Sequence, residues 1–393
     1  MTLSRRHFVQ TVGIGAGAAL TSQIWGRGRE NAIWSAFEAE LEAVEKGVIC
    51  IASNENPVGP GKKVLDSLSA LLQGGKSPGR YSNQMGQLTE AICAHFKVKP
   101  ENVLLSEGST EILRAATQVF TAKTKPLVGT IPTYEECAGY AELIGNPVRG
   151  VKLSSEFKID LDPMLAAAKG AGLVFYCNPN NPTATYVGAK ATRDFLAKVN
   201  STSPETTVLV DEAYFDYVTD PDHETHVPIA IENPRVIVAR TFSKAYGMAG
   251  LRQGYAIAHA DTIKKLRTWV GASGTGSLNV FGMAAATVAI SQDASFTTNE
   301  RNRNKAVRDM VTKWFADRGM KPTDCQANFM FVNIGTPAKE FRDACRAKNV
   351  LVARDFPPFE KTMCRITLGT MEEMQKAVNV FGEVLGKKST AAA

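Results

Sequence analysis

Seven short β-rich runs separated by helical stretches fill the middle of the chain and limit its fold more than any other feature. They read NVLLS (102–106), KPLVGT (125–130), NPVRGVKL (146–153), AGLVFYC (171–177), TTVLVDE (206–212), RVIVART (235–241) and GYAIAHA (254–260). Helical patterns lie between them at 110–120, 134–144 and 189–199. Strands alternating with helices predict a largely parallel sheet covered on both faces, and so one large α/β domain.

Past Ala260 the texture changes. Helical stretches at 261–270, 278–291, 297–318 and 371–385 enclose short strands near 329–334, 349–353 and 364–368. This half reads as a smaller α+β domain. The expected division is a signal segment over 1–27, an N-terminal segment over 30–75 that joins the small domain, a large domain over 76–270, and the small domain over 271–393. With 393 residues the chain is long enough for two cores. The seven cysteines are scattered without a CxxC, which predicts buried thiols rather than a disulfide framework.

The chain starts SRRHFVQTVGIGAGAAL, with charge first and then a glycine-diluted apolar stretch too short to span a bilayer. The twin arginine, Arg5 and Arg6, resembles the pattern read by the twin-arginine export pathway. That predicts a periplasmic protein exported already folded, or a cytoplasmic one if the signal is not used. Arg5, Arg6 and Arg27 precede residue 28 with no acid among them, so they supply half of the formal net charge of +6. The remaining excess is too small to predict a nucleic-acid partner.

In open parallel sheets ligands gather beyond the carboxyl ends of the strands, and here those ends carry reactive residues. AGLVFYC runs into NPNNPT and brings Asn181 to the rim. TTVLVDE ends at Asp211, with Tyr214 close behind. RVIVART delivers Ser243 and Lys244, and Arg252 follows. VLLSEGSTEIL turns at a glycine into a helix opened by Ser109 and Thr110, whose free N–H groups suit a phosphate. Tyr134, after another strand, offers a ring face. Taken singly these residues have ordinary readings: a solvated lysine, a capping aspartate, core aromatics, surface ion pairs. Together they describe a site for pyridoxal phosphate (PLP), with a phosphate seat, an acid for the ring nitrogen, a stacking ring and an amine for the aldehyde.

TFSKAYGMAGLRQGY, NPNNPT, VLVDEAY, SNENPVGP and CRITLGTMEEM, in that family's order, resemble the class I/II aminotransferases of PLP fold type I, and most nearly the histidinol-phosphate aminotransferases. The resemblance implies a mostly parallel seven-stranded large domain with a smaller α+β domain. It also implies Lys244 as the Schiff-base lysine and proton shuttle, with Asp211 on the pyridine nitrogen. Asn181 and Tyr214 would bond the ring oxygen and Tyr134 would stack. Ser109, Thr110, Ser243 and Arg252 would hold the phosphate. Tyr81 matches a tyrosine reaching a neighbouring subunit's phosphate, which implies a homodimer. Arg365 would take the substrate's acidic group, with Arg354 assisting and Asn54 also on the substrate side. The implied activity moves an amino group between an L-amino acid, or a histidinol-phosphate-like amine, and a 2-oxo acid.

Two departures stand out. Arg354 precedes a Pro-Pro turn, in VARDFPPFEKTMCRIT, where the histidinol-phosphate enzymes grip the substrate phosphate with paired arginines. Export does not suit histidine synthesis, a cytoplasmic pathway, and points to an ordinary or aromatic L-amino acid. The alternatives are a fold-related decarboxylase of the phosphothreonine type, a PLP-dependent regulator, for which residues 1–50 leave no room for a DNA-binding module, and an inactive scaffold. His223 and His226 in DPDHETH sit in a polar loop and are not read as metal ligands.

Overall fold

The computed structural model describes residues 47–73, 83–271, 277–292 and 294–386. The export-signal segment and Tyr81 lie outside the described residues. The chain divides after Cys50, and the architecture that follows is that of the unit Ile51–Ala393.

All seven expected runs are strands. They are β1 (Val103–Ser106), β2 (Leu127–Ile131), β3 (Val148–Lys152), β4 (Leu173–Cys177), β5 (Thr207–Asp211), β6 (Val236–Thr241) and β7 (Gly254–Ala258). They form one sheet in the order β1-β7-β6-β5-β4-β2-β3. Pairing is parallel from β3 to β6, and β7 runs antiparallel to both β6 and β1. Every residue of β4, β5 and β6 is buried, so these strands are apolar almost throughout rather than alternating.

The reversed strand shapes the site. A parallel neighbour of β6 would need a helical crossover, but an antiparallel one is reached through a short connection. The segment 242–253 therefore stays at the carboxyl rim, carrying Ser243, Lys244 and Arg252. At the start of β7, Gly254 pairs with Thr241 on one side and Ser106 on the other. The turn after Ser106 opens helix α1 (Gly108–Phe120) through Gly108 at φ +69°. Backbones meet closely there: a Cβ on Gly254 would lie 2.4 Å from both Gly108 C and Ser109 N.

The C-terminal part contains α2 (Val280–Ser291), α3 (Ser295–Ala316), β8 (Phe329–Asn333), β9 (Val350–Val352), β10 (Met363–Thr367) and α4 (Met371–Leu385). The alanine-rich α2 packs against the helices Lys62–Gln73 and Gln84–Phe96 within the main apolar core, which explains its lack of a polar face. β10 pairs antiparallel with β8, placing Arg365 opposite Phe331. α4 begins at a capping box in which Thr370 and Glu373 each bond the other's backbone N–H. All seven cysteines are free, and five are buried. No helix among the described residues is long and apolar enough to cross a membrane.

Gly254→Ala should destabilise the protein by about 2 kcal/mol, because the methyl meets backbone that cannot retreat. Gly250→Ala, whose Cβ meets nothing within 4 Å, should change the urea midpoint little. Equal midpoints for the two variants would refute the close-packing account.

Candidate active site

The carboxyl ends of β4, β5 and β6 are held level by their register, with Cys177 opposite Asp211 and Asp211 opposite Ala239. Beyond them opens a cleft of about 290 Å³. Every site residue expected from the sequence lines it, apart from Tyr81, which is not described. Ser53, Glu55, Ala213, Thr241 and Ala249 line it too and were not foreseen.

One end of the cleft is an anion seat. Ser109 and Thr110 lie in the first turn of α1, where free N–H groups and the helix dipole favour negative charge. Ser243 and Arg252 face them, with Arg252 Nη1 3.5 Å from Ser243 Oγ. Arg252 itself adopts a left-handed backbone (φ +50°) at the turn into β7. The bare Cα of Gly108 makes room for the guanidinium, since a Cβ there would lie 2.5 Å from Arg252 Nη2. Thr241, whose hydroxyl accepts from the Ser243 N–H and donates to its Oγ, holds the serine in place.

The floor is Asp211, 3 % exposed. Its Oδ1 accepts the Ala213 N–H at 3.1 Å, and its Oδ2 lies 3.9 Å from the Cys177 thiol. Burial pushes its carboxyl up to about 7, against the pull of the Ala213 N–H and the Lys244 charge. A buried acid so placed calls for a protonated nitrogen from a ligand. Lys244 stands beside it, donating to Ser53 O at 3.2 Å with its ammonium 5.7 Å from the centre of the Tyr214 ring. Burial, aided by the positive charges of Arg365 and Arg252, lowers its pKa to about 8 against the opposing Glu55 and Asp211. Burial also raises the Tyr214 and Tyr134 phenols, which stay neutral and can donate.

The far wall comes from the C-terminal part. Arg365, 8 % exposed, donates to Asn181 Oδ1 at 2.8 Å and to Ala52 O. Asn54 (φ +57°) donates through Nδ2 to Tyr214 OH at 3.1 Å, and its Oδ1 accepts from Thr367 at 3.0 Å. Asn328 donates to the carbonyl of Asn54 and secures that strained residue. Thr367 and Asn328 are supporting residues; Thr367 lies in the CRITLGTMEEM motif without a role assigned to it there, and Asn328 lies outside every motif. Arg354 reaches the rim but is engaged with Glu135, Nη2 to Oε2 at 2.7 Å. His226 Nδ1 lies 3.2 Å from Glu212, and His223 Nε2 3.0 Å from Phe215 O, both occupied with structural contacts.

The cleft therefore offers an anion seat, a buried acid, an amine of low basicity and a polar wall around one arginine. Reductive methylation of Lys244 in cofactor-free protein, followed by peptide mapping, should rise through a midpoint near pH 8, because only the neutral amine reacts. Asp211→Asn, which removes a charge that supports the ammonium, should move that midpoint lower; a midpoint near pH 10 in the wild type would contradict the desolvated amine.

Known proteins resemble this chain over most of its length. The model of the family "Aminotransferase class I and II" matches residues 46–381. The histidinol-phosphate aminotransferase of Moorella thermoacetica is 33% identical over 356 residues, 88% of either chain. That of Bacillus subtilis is 32% identical over 344 residues, 86% of this chain and 92% of the relative. The structure of the histidinol-phosphate aminotransferase from Sinorhizobium meliloti, in complex with pyridoxal-5'-phosphate, superposes with a TM-score of 0.79 at 25% identity, covering 88% of this chain and 94% of that one. Aspartate aminotransferase from Thermus thermophilus, at 19% identity and a TM-score of 0.76 over 89% and 95%, shares the fold. On the family match and the relatives' identity and coverage alike, the chain belongs to the class I and II aminotransferases.

Proposed function

We propose that this protein is a PLP-dependent aminotransferase in which Lys244 anchors the cofactor and moves the substrate's Cα proton. The observation that carries the reading is the placement of a desolvated amine and a buried acid between an anion seat and an arginine. When bound, the cofactor supplies an aldehyde for the amino group and a ring that draws electrons from Cα.

The chain's residues divide the remaining work. Ser109, Thr110, Ser243 and Arg252 bind the phosphate, and Asp211 keeps the ring nitrogen protonated through a charge-assisted hydrogen bond. Tyr134 covers one ring face. Tyr214 and Asn181 bond the ring oxygen, and Arg365 and Asn54 orient the donor. Burial lowers the Lys244 pKa and so favours the neutral amine, the form that can accept the proton from Cα. Two further parts of the reading rest on sequence: a homodimer, on the match at Tyr81, and export in folded form, on Arg5 and Arg6. The donor is an ordinary or aromatic L-amino acid or a histidinol-phosphate-like amine.

Purified holoenzyme, given a panel of amines with pyruvate or 2-oxoglutarate, should yield the acceptor's amino acid and no stoichiometric CO2. Release of CO2 without amino transfer would instead favour the decarboxylase. Lys244→Ala should lower turnover by at least about a thousandfold, and borohydride should no longer trap the cofactor on the chain. Arg365→Gln should raise KM for α-amino acids about tenfold or more while leaving cofactor affinity close to normal. Residues 1–30 fused to a reporter that folds before export should send it out of the cytoplasm, and Arg5Arg6→LysLys should stop it. Unchanged export would end the twin-arginine reading.

A further inference from the structure

We infer that Glu135 sets donor specificity: by neutralising Arg354 it favours amino donors with a single anionic end over those with a second carboxylate or phosphate on the side chain. The inference rests on the aminotransferase reading and adds the substrate class. Among the described residues four basic side chains line the cleft, namely Lys244, Arg252, Arg354 and Arg365. In the proposed function Lys244 holds the cofactor, Arg252 its phosphate and Arg365 the donor's acidic group. A second anion on the donor would have to be met by Arg354.

Arg354 is already committed on each side. Nη2 donates to Glu135 Oε2 at 2.7 Å, Nη1 donates to Asp355 O at 3.0 Å, and the guanidinium lies 4.6 Å from the centre of the Phe356 ring. Glu135 follows Tyr134 directly, so the carboxylate is fixed to the segment that forms the ring-facing wall. Glu55, a further acid, also lines the cleft. An incoming side-chain carboxylate would have to part Arg354 from Glu135 and then sit near that displaced acid and Glu55. A neutral or cationic side chain meets no such opposition. Because both partners of the pair are partly exposed, at 39% and 48%, Glu135 can be replaced without opening a hole in the core.

The test uses holoenzyme in single-turnover amino transfer, read by the cofactor's absorbance, with the near-isosteric pairs L-glutamine against L-glutamate and L-asparagine against L-aspartate. In the wild type the neutral member should react with the higher kcat/KM, by about tenfold. Glu135→Gln should raise the glutamate-to-glutamine ratio by a similar factor, mainly through a lower KM for glutamate, and Glu135→Gln/Arg354→Gln should cancel the gain. Thermal unfolding of each variant checks that the fold is intact. A wild type that handles glutamate as well as glutamine, or a ratio unmoved in Glu135→Gln, would overturn the inference while leaving the aminotransferase reading in place. Failure of every amine to change the absorbance would overturn the aminotransferase reading, and this inference with it.

Discussion

The close approach of two backbones, Gly254 against the Gly108–Ser109 turn, underlies the whole site. It lets a reversed strand insert between β6 and β1, and so keeps the connection 242–253 short and at the carboxyl rim. Were that strand parallel, Lys244 and Arg252 would be separated by a helix and could not serve one ligand. The same contact sets the first turn of α1 beside Arg252, so the helix dipole and the guanidinium act on a common point. Side chains larger than hydrogen at either glycine would pry the anion seat apart.

Electrostatics then follows from burial. Asp211 and Lys244 lie at neighbouring strand ends and are both desolvated, and each is pushed toward its neutral form. In a region designed only for stability an unmatched buried acid would be a liability. Here it leaves a place for a charged ligand group, and the polar wall is tied together by the Asn54–Tyr214 and Arg365–Asn181 hydrogen bonds. Preorganised donors of this kind need little rearrangement when a substrate binds.

Much of this was legible in the order of residues. Short β-rich runs separated by helical stretches locate all seven strands of the large sheet, and strand ends are where open α/β sheets bind ligands, so Asp211, Asn181 and Lys244 could be named without coordinates. Helix α4 matches the helical stretch read at 371–385, and the structure adds that Thr370 and Glu373 cap its start. The supporting roles of Thr367 and Asn328 were not legible. They act by holding Asn54, 313 and 274 positions away in the chain, and no local pattern marks a residue whose task is to hydrogen-bond a distant backbone.

Arg354 shows where the boundary falls. The sequence by itself determined that an arginine stands before the Pro-Pro turn and that a glutamate follows Tyr134, along with the sheet, the cleft's position and the chemical types along its rim. Only the tertiary structure decided that these two residues, 219 positions apart, meet at 2.7 Å. Short-range patterns record what a residue does to its own helix or strand. Which charge faces which across a cleft depends on how two separately packed layers come together, and that information is spread over the whole core.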